Sequence, residues 1–282
     1  MKIWKSRSVW IGATLLILLS AATLFIIYRE LNGKDIIGTI KRADPFWVIA
    51  AFIFMILYFV ADGINIRRSL RLTGYDISIS QMMTYAYAGF FFSYITPSST
   101  GGQPGQLYFM YRDRIRLSHG TFSLLCVFLS YQIMAVLWGI IGVLYLRSEY
   151  VSINGRFAYV FPIGFALNIL IILFGLCVLF SKKLTKAFAH IALEVVKRYG
   201  KKDYRASIFR FFALYRNASG LIKKNKIVYA KVLITSFIQL TLFHSIPFLC
   251  VHALGCSKPG LIKTLCTQGA LFLSVSSLPL PG

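Results

Sequence analysis

The sequence predicts an all-α integral membrane protein, a polytopic helix bundle forming one transmembrane domain over residues 1–282. Hydrophobic residues make up 57% of the 282 positions and charged residues only 14%, far below the roughly 25% charged residues of typical soluble domains. Uncharged apolar stretches long enough to cross a bilayer recur along the chain. Lys and Arg outnumber Asp and Glu by 31 to 9. Because most of the excess lies between apolar stretches, it indicates membrane topology and anionic lipid rather than DNA or RNA binding.

Five segments have the length and composition of membrane-spanning helices: 9–28, 46–66, 121–146, 157–180 and 232–254. Basic residues precede the first segment, as they would in a signal peptide. That segment has the length of a full span and lacks a small-residue cleavage site, so we predict a retained helix.

Residues 81–111 carry no charge, yet prolines and glycines between positions 97 and 105 rule out one straight helix. With a cytoplasmic N-terminus, the inner segments hold 23 Lys and Arg residues and the outer loops hold 8. This asymmetry requires both ends of 81–111 on the inner side, so we predict a re-entrant segment. Its interrupted backbone must be buried in protein or line a wet cavity, because lipid cannot satisfy free peptide groups.

Residues 264–282 form a second uncharged stretch with a related ending. Residues 271–280 read L-F-L-S-V-S-S-L-P-L, and residues 90–99 read F-F-F-S-Y-I-T-P-S-S. Two interrupted half-helices entering from opposite faces are typical of an inverted repeat around a midplane site. Coincidence between two low-complexity segments is the alternative.

The segment 181–231 is strongly basic and is predicted to be cytoplasmic. Apolar residues recur at helical spacing within 184–195 and within 208–215. This pattern predicts one or two amphipathic helices on the inner membrane interface. A solvated basic loop is the alternative interpretation.

The segment best suited to bind a ligand reads S-Y-I-T-P-S-S-T-G-G-Q-P-G-Q over residues 93–106, and a basic cluster follows at 112–116. A glycine-softened turn rich in hydroxyls and amides offers donors to a phosphate or sugar at membrane depth. The glycine patterns of nucleotide-binding loops are absent. The predicted binding residues are Thr96, Ser98, Ser99, Thr100, Gly101, Gly102, Gln103, Gln106, Arg112 and Arg114. Further candidates are Asp62, Ser276 and Ser277.

Asp62 is the one acidic residue within a predicted span. Ionisable groups inside a membrane indicate function by default. Because Asp62 lies near the inner end of its span, pairing with Arg67 or Arg68, or reaching to the interface, is the alternative.

Other polar residues within the spans have simpler interpretations. His244 and His252 are predicted to be hydrogen-bonded core residues rather than a polar path. Gln132, Asn168 and Gln239 are predicted to form hydrogen bonds between helices.

The five cysteines lie in or beside apolar stretches, without C-x-x-C spacing. We interpret them as small buried hydrophobes and expect neither a zinc site nor a disulfide framework. We expect no metal and no cofactor. No arrangement of His, Asp or Glu beside a nucleophile suggests acyl transfer.

The stretch I-T-P-S-S-T-G-G-Q-P-G-Q, followed by R-D-R-I-R, resembles the hallmark of the lysylphosphatidylglycerol synthase transmembrane-domain family. This family forms the flippase-like membrane portion of the multiple peptide resistance factor. The final S-S-L-P-L-P-G resembles the start of a second family hallmark, which normally continues with another Gly and then a Glu. We therefore expect the natural chain to continue. The soluble aminoacyltransferase domain of full-length synthases has no counterpart in these residues.

The resemblance implies a multi-pass protein of a bacterial plasma membrane that translocates aminoacylated phosphatidylglycerol. Such transport would contribute to resistance against cationic antimicrobial peptides. The implied partners are membrane phospholipid and a separate soluble aminoacyltransferase. One alternative is a phosphatidylglycerol lysyltransferase, or its membrane portion, which moves lysine from lysyl-tRNA to the lipid. A non-transporting membrane anchor subunit is the other.

Overall fold

The computed structural model describes residues 38, 41–96, 100–146, 160–199, 205–255 and 259–275, and these ranges contain helices and no strand. In chain order the helices are α1 (Pro45–Arg71), α2 (Ile79–Tyr94), α3 (Gly102–Arg112), α4 (Leu117–Tyr145), α5 (Val160–Phe180), α6 (Lys182–Tyr199), α7 (Arg205–Lys224), α8 (Lys226–Ala253) and α9 (Leu261–Val275).

Four of these helices, α1, α4, α5 and α8, are long and apolar enough to cross a membrane. They correspond to four of the five predicted spans, so the all-α membrane bundle is confirmed for the described residues. The span predicted at 9–28 lies outside them.

Local sequence signals explain where the first two helices begin. The side chain of Asp44 accepts a hydrogen bond from the backbone N–H of Phe46 at 2.9 Å, and Pro45 occupies the first turn of α1. Ser78 and Gln81 form a reciprocal capping box at the start of α2, with N···O distances of 3.0 and 3.2 Å.

Two spanning helices run beyond their predicted inner ends. Helix α1 continues to Arg71 and α8 begins at Lys226, whereas charge alone places these ends at 66 and 232. The guanidinium of Arg68 donates to the carbonyl oxygen of Lys231, 3.0 Å away, and also to the hydroxyl of Thr235. Long basic side chains keep their charge at the interface while the helix continues.

Helix α4 is the central element of the bundle. It packs against α1, α3, α5, α7, α8 and α9, and it contributes residues to each of four hydrophobic clusters. In the most apolar stretch of α4, 56% of the residues are buried, compared with 17% in the corresponding stretch of α1. Helices α1 and α8 pack extensively on each other beside it.

Helices α2 and α3 form a tight hairpin whose ends meet. The hydroxyl of Tyr85 donates to Oδ2 of Asp113 at 2.7 Å, and Nε2 of Gln81 donates to the same oxygen at 3.3 Å. Near the turn, a Cβ at Gly102 would collide with Ser93, so the glycine permits the close approach of the helices. The re-entrant course of this hairpin in the membrane stays a prediction.

Helix α9 approaches α4 and α5 through glycines. A Cβ at Gly142 would collide with the carbonyl oxygen of Cys266, and one at Gly269 would lie 2.7 Å from the carbonyl oxygen of Trp138. Nδ2 of Asn168 in α5 donates to the carbonyl oxygen of Leu273 at 3.0 Å. Small residues at helix contacts favour close packing in membranes.

The basic segment contains the helices α6 and α7, so it is not an irregular loop over its described residues. The position of these helices on the inner interface stays a prediction. Tyr215, Ala218 and Ile222 of α7 pack into a cluster with α4 and α5. Arg210 and Arg216 lie on its exposed face. The apolar stripe is what holds this segment as a helix against the bundle.

The cysteine prediction is only partly correct. Cys126 and Cys266 are buried, but Cys177 and Cys250 are exposed, and Cys256 lies outside the described residues. The two exposed thiols lie on the apolar outer faces of α5 and α8. A thiol is apolar enough for such a surface.

Candidate functional site

A cavity of about 930 Å³ lies inside the bundle. Seven of the helices supply its walls, and the α2–α3 turn adds Thr100. Polar and tyrosine side chains in its lining are Tyr58, Asp62, Ser93, Tyr94, Thr100, Gln103, Gln106, Tyr131, Gln132 and Gln239. The rest of the lining is apolar, so these side chains form a polar cluster in a mostly apolar cavity.

The carboxylate of Asp62 is held by two amides. Nε2 of Gln106 in α3 lies 3.5 Å from Oδ2, and Nε2 of Gln239 in α8 lies 3.4 Å from Oδ1. Within the described part of the chain, no Lys or Arg forms an ion pair with Asp62. Asp62 is half-buried, and a negative charge in such surroundings without a neighbouring cation is costly.

The alternative that Asp62 pairs with the nearby arginines is wrong. Nη2 of Arg67 lies 3.2 Å from Oδ1 of Asp76, and Arg71 contacts the same carboxylate at 2.9 Å. These hydrogen bonds, from Arg71 foremost, lower the pKa of the exposed Asp76 carboxyl below its usual value. Arg68 turns toward α8. The helix points Arg67 and Arg68 away from Asp62, although less than two turns separate them from it in sequence.

Gln106 is positioned by the hairpin itself. It is buried, and a Cβ at Gly89 of α2 would collide with its side chain. Gly89 thus leaves the space that Gln106 occupies. The local sequence G-F-F-F-S in α2 and G-Q in α3 therefore fixes an amide beside Asp62.

The side chain of Thr96 links the two ends of the hairpin turn. Its hydroxyl donates to the carbonyl oxygen of Phe92 at 2.6 Å and accepts from the N–H of Gly101 at 2.8 Å. Next to these hydrogen bonds, the cavity is lined by Thr100, Gly102 and Gln103. Of the other predicted residues, Ser98, Ser99, Ser276 and Ser277 lie outside the described residues.

The structure does not bring Arg112 and Arg114 to the turn. Arg112 ends α3, about 14 Å along the helix axis from Gln103 at 1.5 Å per residue. Its guanidinium lies 4.8 Å from the centre of the Phe109 ring. Arg114 has a left-handed backbone with φ of 63° and is exposed. The predicted binding residues thus divide between the cavity and the far end of the hairpin.

Comparison with known proteins identifies the bundle that carries this cavity. A family model described as the lysylphosphatidylglycerol synthase TM region matches residues 10–282. The chain belongs to this family. A stretch of 88 residues is 31% identical to a UPF0104 membrane protein of Archaeoglobus fulgidus. That match covers 31% of this chain and 27% of the relative, so the chain aligns with about a quarter of the relative's length. No solved structure matches the chain significantly.

This synthase-family membrane region is a multi-pass membrane protein, and its spanning helices are linked by the predicted polar contacts. Nε2 of Gln132 in α4 donates to Oδ1 of Asn168 in α5 at 2.9 Å, and Gln239 joins α8 to α1. Sequence reasoning assigned these residues to helix packing alone. Gln132 and Gln239 also line the cavity of the synthase-family region.

Sequence reasoning missed Tyr58 and Tyr131, which line the cavity. The cavity-lining residues of α4 include 124, 127, 128 and 131, which form one face at helical spacing. That periodicity was visible in the sequence. The sequence does not show which face of α4 borders a cavity and which face is packed against other helices.

The two histidines of α8 differ from each other in the synthase-family bundle. His244 is 1% exposed and packs edge-on against Trp138 at 5.9 Å between ring centres. Neither of its ring nitrogens has a hydrogen-bond partner among the described residues. Nδ1 of His252 lies 2.9 Å from the carbonyl oxygen of Phe248. His252 has such a contact but is only half-buried near the end of α8, and His244 is buried without one, so neither is a hydrogen-bonded core residue in the described structure.

Proposed function

We propose that this membrane region translocates a phospholipid, and that the cargo is aminoacylated phosphatidylglycerol such as the lysyl derivative. The observation that carries the proposal is Asp62. This carboxylate lies in an intramembrane cavity, accepts hydrogen bonds from Gln106 and Gln239, and has no ion-pair partner among the described residues.

The size of the cavity supports a lipid head group as its occupant. Ligand pockets typically enclose roughly 300 to 1,000 Å³, and this cavity has about 930 Å³. Moving a bare charged head group through hydrocarbon would cost many kcal/mol. Hydroxyl, amide and carboxylate groups along the path replace the lost water and lower that barrier.

The distribution of charge supports a cargo with both signs. An aminoacyl group carries a cationic ammonium that Asp62 would pair with, and the lipid phosphate would accept hydrogen bonds from Thr100 and Gln103. The arginines at the far end of the hairpin, Arg112 and Arg114, would gather anionic lipid at the inner surface. In this proposal the arginines gather the lipid first, and the residues at the cavity then bind its head group.

The endings of two helices support the proposed inverted repeat. Helix α2 ends at Tyr94, one residue after Ser93, and α9 ends at Val275, one residue after Ser274. The two serines occupy equivalent places in the similar stretches 90–99 and 271–280. We propose that α2–α3 and the 264–282 segment are re-entrant from opposite faces, with a cytoplasmic N-terminus in a bacterial plasma membrane.

The competing function is lysyl transfer to phosphatidylglycerol, and one experiment separates the two. The purified protein is reconstituted into vesicles that contain phosphatidylglycerol and, in a parallel sample, lysylphosphatidylglycerol in one leaflet. Labelled lysyl-tRNA is added, and product lipid and amine exposure at the opposite leaflet are both followed. We expect lipid movement without product. Product without movement would establish the transferase, and neither signal would favour a membrane anchor.

A further inference from the structure

The cavity opens toward the side of the bundle. Two aromatic residues that line it are also largely exposed, namely Tyr94 of α2 at 65% and Phe174 of α5 at 58%. A side chain that borders a cavity and is more than half exposed must lie at its mouth. The mouth therefore lies between the hairpin and α5.

Among the described helices, none closes this mouth along its length. Helix α2 packs mainly against α1 and α3, whereas α5 packs mainly against α4 and α9. Phe128 of α4 also lines the cavity, and the ring of Phe188 in α6 lies edge-on to that of Phe174, with 6.4 Å between the ring centres. The result is a slot with an α4 floor and aromatic edges.

The two sides of the cavity differ in chemistry. Asp62, Gln106 and Gln239 come from α1, α3 and α8, while α5 contributes only Ile171, Phe174, Gly175 and Val178. The outer surface of α5 beside the slot is also apolar, with Leu173 53% exposed. The polar cluster around Asp62 thus lies in a cavity whose opening has aromatic and apolar edges.

We propose that the slot between Tyr94 and Phe174 is the passage for the acyl chains of a diacyl lipid whose head group occupies the polar side. This inference rests on the proposed translocator function and adds where the acyl chains of the cargo lipid lie. Acyl chains gain nothing from leaving lipid, whereas the head group must leave it. An opening toward lipid lets the chains remain outside while the head group moves. The occupant is therefore a membrane lipid and not a free phosphate or amino acid.

Photocrosslinking tests the slot in the full chain. Phe174 is replaced by p-benzoylphenylalanine, and the matched control carries the same group at Leu173, which is exposed on the same helix but does not line the cavity. Vesicles contain phosphatidylcholine with lysylphosphatidylglycerol as a minor component. We expect adducts at position 174 to be enriched about tenfold in the lysyl lipid over its bulk fraction. Adducts at 173 should follow the bulk composition.

A second variant narrows the slot. Val178→Trp places a large ring in the slot wall, and we expect movement of the diacyl lipid to slow about tenfold. Binding of the water-soluble head group, lysylglycerol phosphate, should be unchanged, which also shows that the variant folds. If position 174 shows only bulk composition while lipid movement persists, the slot is wrong and the translocator stands. If the wild-type chain moves no lipid, both proposals fail.

Discussion

Gln239 in α8 donates a hydrogen bond from Nε2 to Oδ1 of Asp62 in α1 over 3.4 Å, although 177 positions separate the two residues. One turn along, Nδ2 of Asn65 donates to Oγ of Ser236 at 3.0 Å. Because the helices are antiparallel, these pairs form two rungs of one polar ladder. The ladder orients the carboxylate toward the cavity and fixes α1 against α8.

Asp62→Asn should abolish most lipid movement. The substitution keeps the shape of the side chain but removes the charge that would pair with an ammonium, so we expect at least about a tenfold slower rate. The rate is measured as the appearance of the lipid amine at the opposite leaflet of reconstituted vesicles. Asp76→Asn is the matched control, because Asp76 pairs with surface arginines away from the cavity. Equal slowing by both variants would remove Asp62 from the mechanism.

Gln103→Ala and Gln106→Ala should both slow movement but differ in stability. Gln106 is buried and holds Asp62, so its loss should lower the free energy of unfolding by about 1 to 3 kcal/mol. Gln103 is exposed at the cavity, so its loss should leave stability unchanged. Thermal unfolding in detergent beside the transport assay distinguishes them. A fully active Gln103→Ala variant would exclude the turn amide from cargo binding.

The proposed cavity should be reached by water at the hairpin turn. In a chain without its native cysteines, Thr100→Cys should react with a small hydrophilic thiol reagent, because Thr100 is exposed and lines the cavity. Ser130→Cys should stay inert, since Ser130 is fully buried in α4. Similar, slow reaction at both positions would indicate a dry cavity.

Sided labelling tests the re-entrant topology. Arg114→Cys should react only with an impermeant reagent supplied from the cytoplasmic side, because the two ends of the hairpin meet at Asp113 and the charge asymmetry places them inside. Reaction from the outer side alone would require residues 81–111 to cross the membrane completely.

Gly142→Ala should destabilise the bundle. The new Cβ would meet the backbone carbonyl of Cys266, and separating α4 from α9 should cost about 1 to 3 kcal/mol. Gly220→Ala in α7 meets nothing within 4 Å, so it should be neutral or stabilising through helix propensity. The unfolding midpoint of Gly142→Ala should fall, whereas that of Gly220→Ala should stay the same or rise. A neutral Gly142→Ala would mean that this contact is loose.

The sequence alone predicted the features that depend on neighbouring residues. Apolar run length identified four described spans, the prolines and glycines at 97–105 predicted the break between α2 and α3, and helical spacing predicted α6 and α7. In each case the free energy of forming the element depends on local backbone geometry and on transfer of side chains into lipid. Both can be judged from a short stretch of sequence. The match to the family motif likewise required only contiguous residues.

Tertiary structure decided which polar residues share the cavity. Asp62 is directed toward Gln106 and Gln239 rather than toward Arg67, because helix rotation and packing set its direction. Arg112 lies near the turn in sequence but about 14 Å from Gln103 along α3, since a continuous helix separates them. The sequence by itself therefore determined the membrane helices and the polar turn. Only packing around α4 decided where space remained empty, because a cavity is the result of side chains from distant segments failing to fill it.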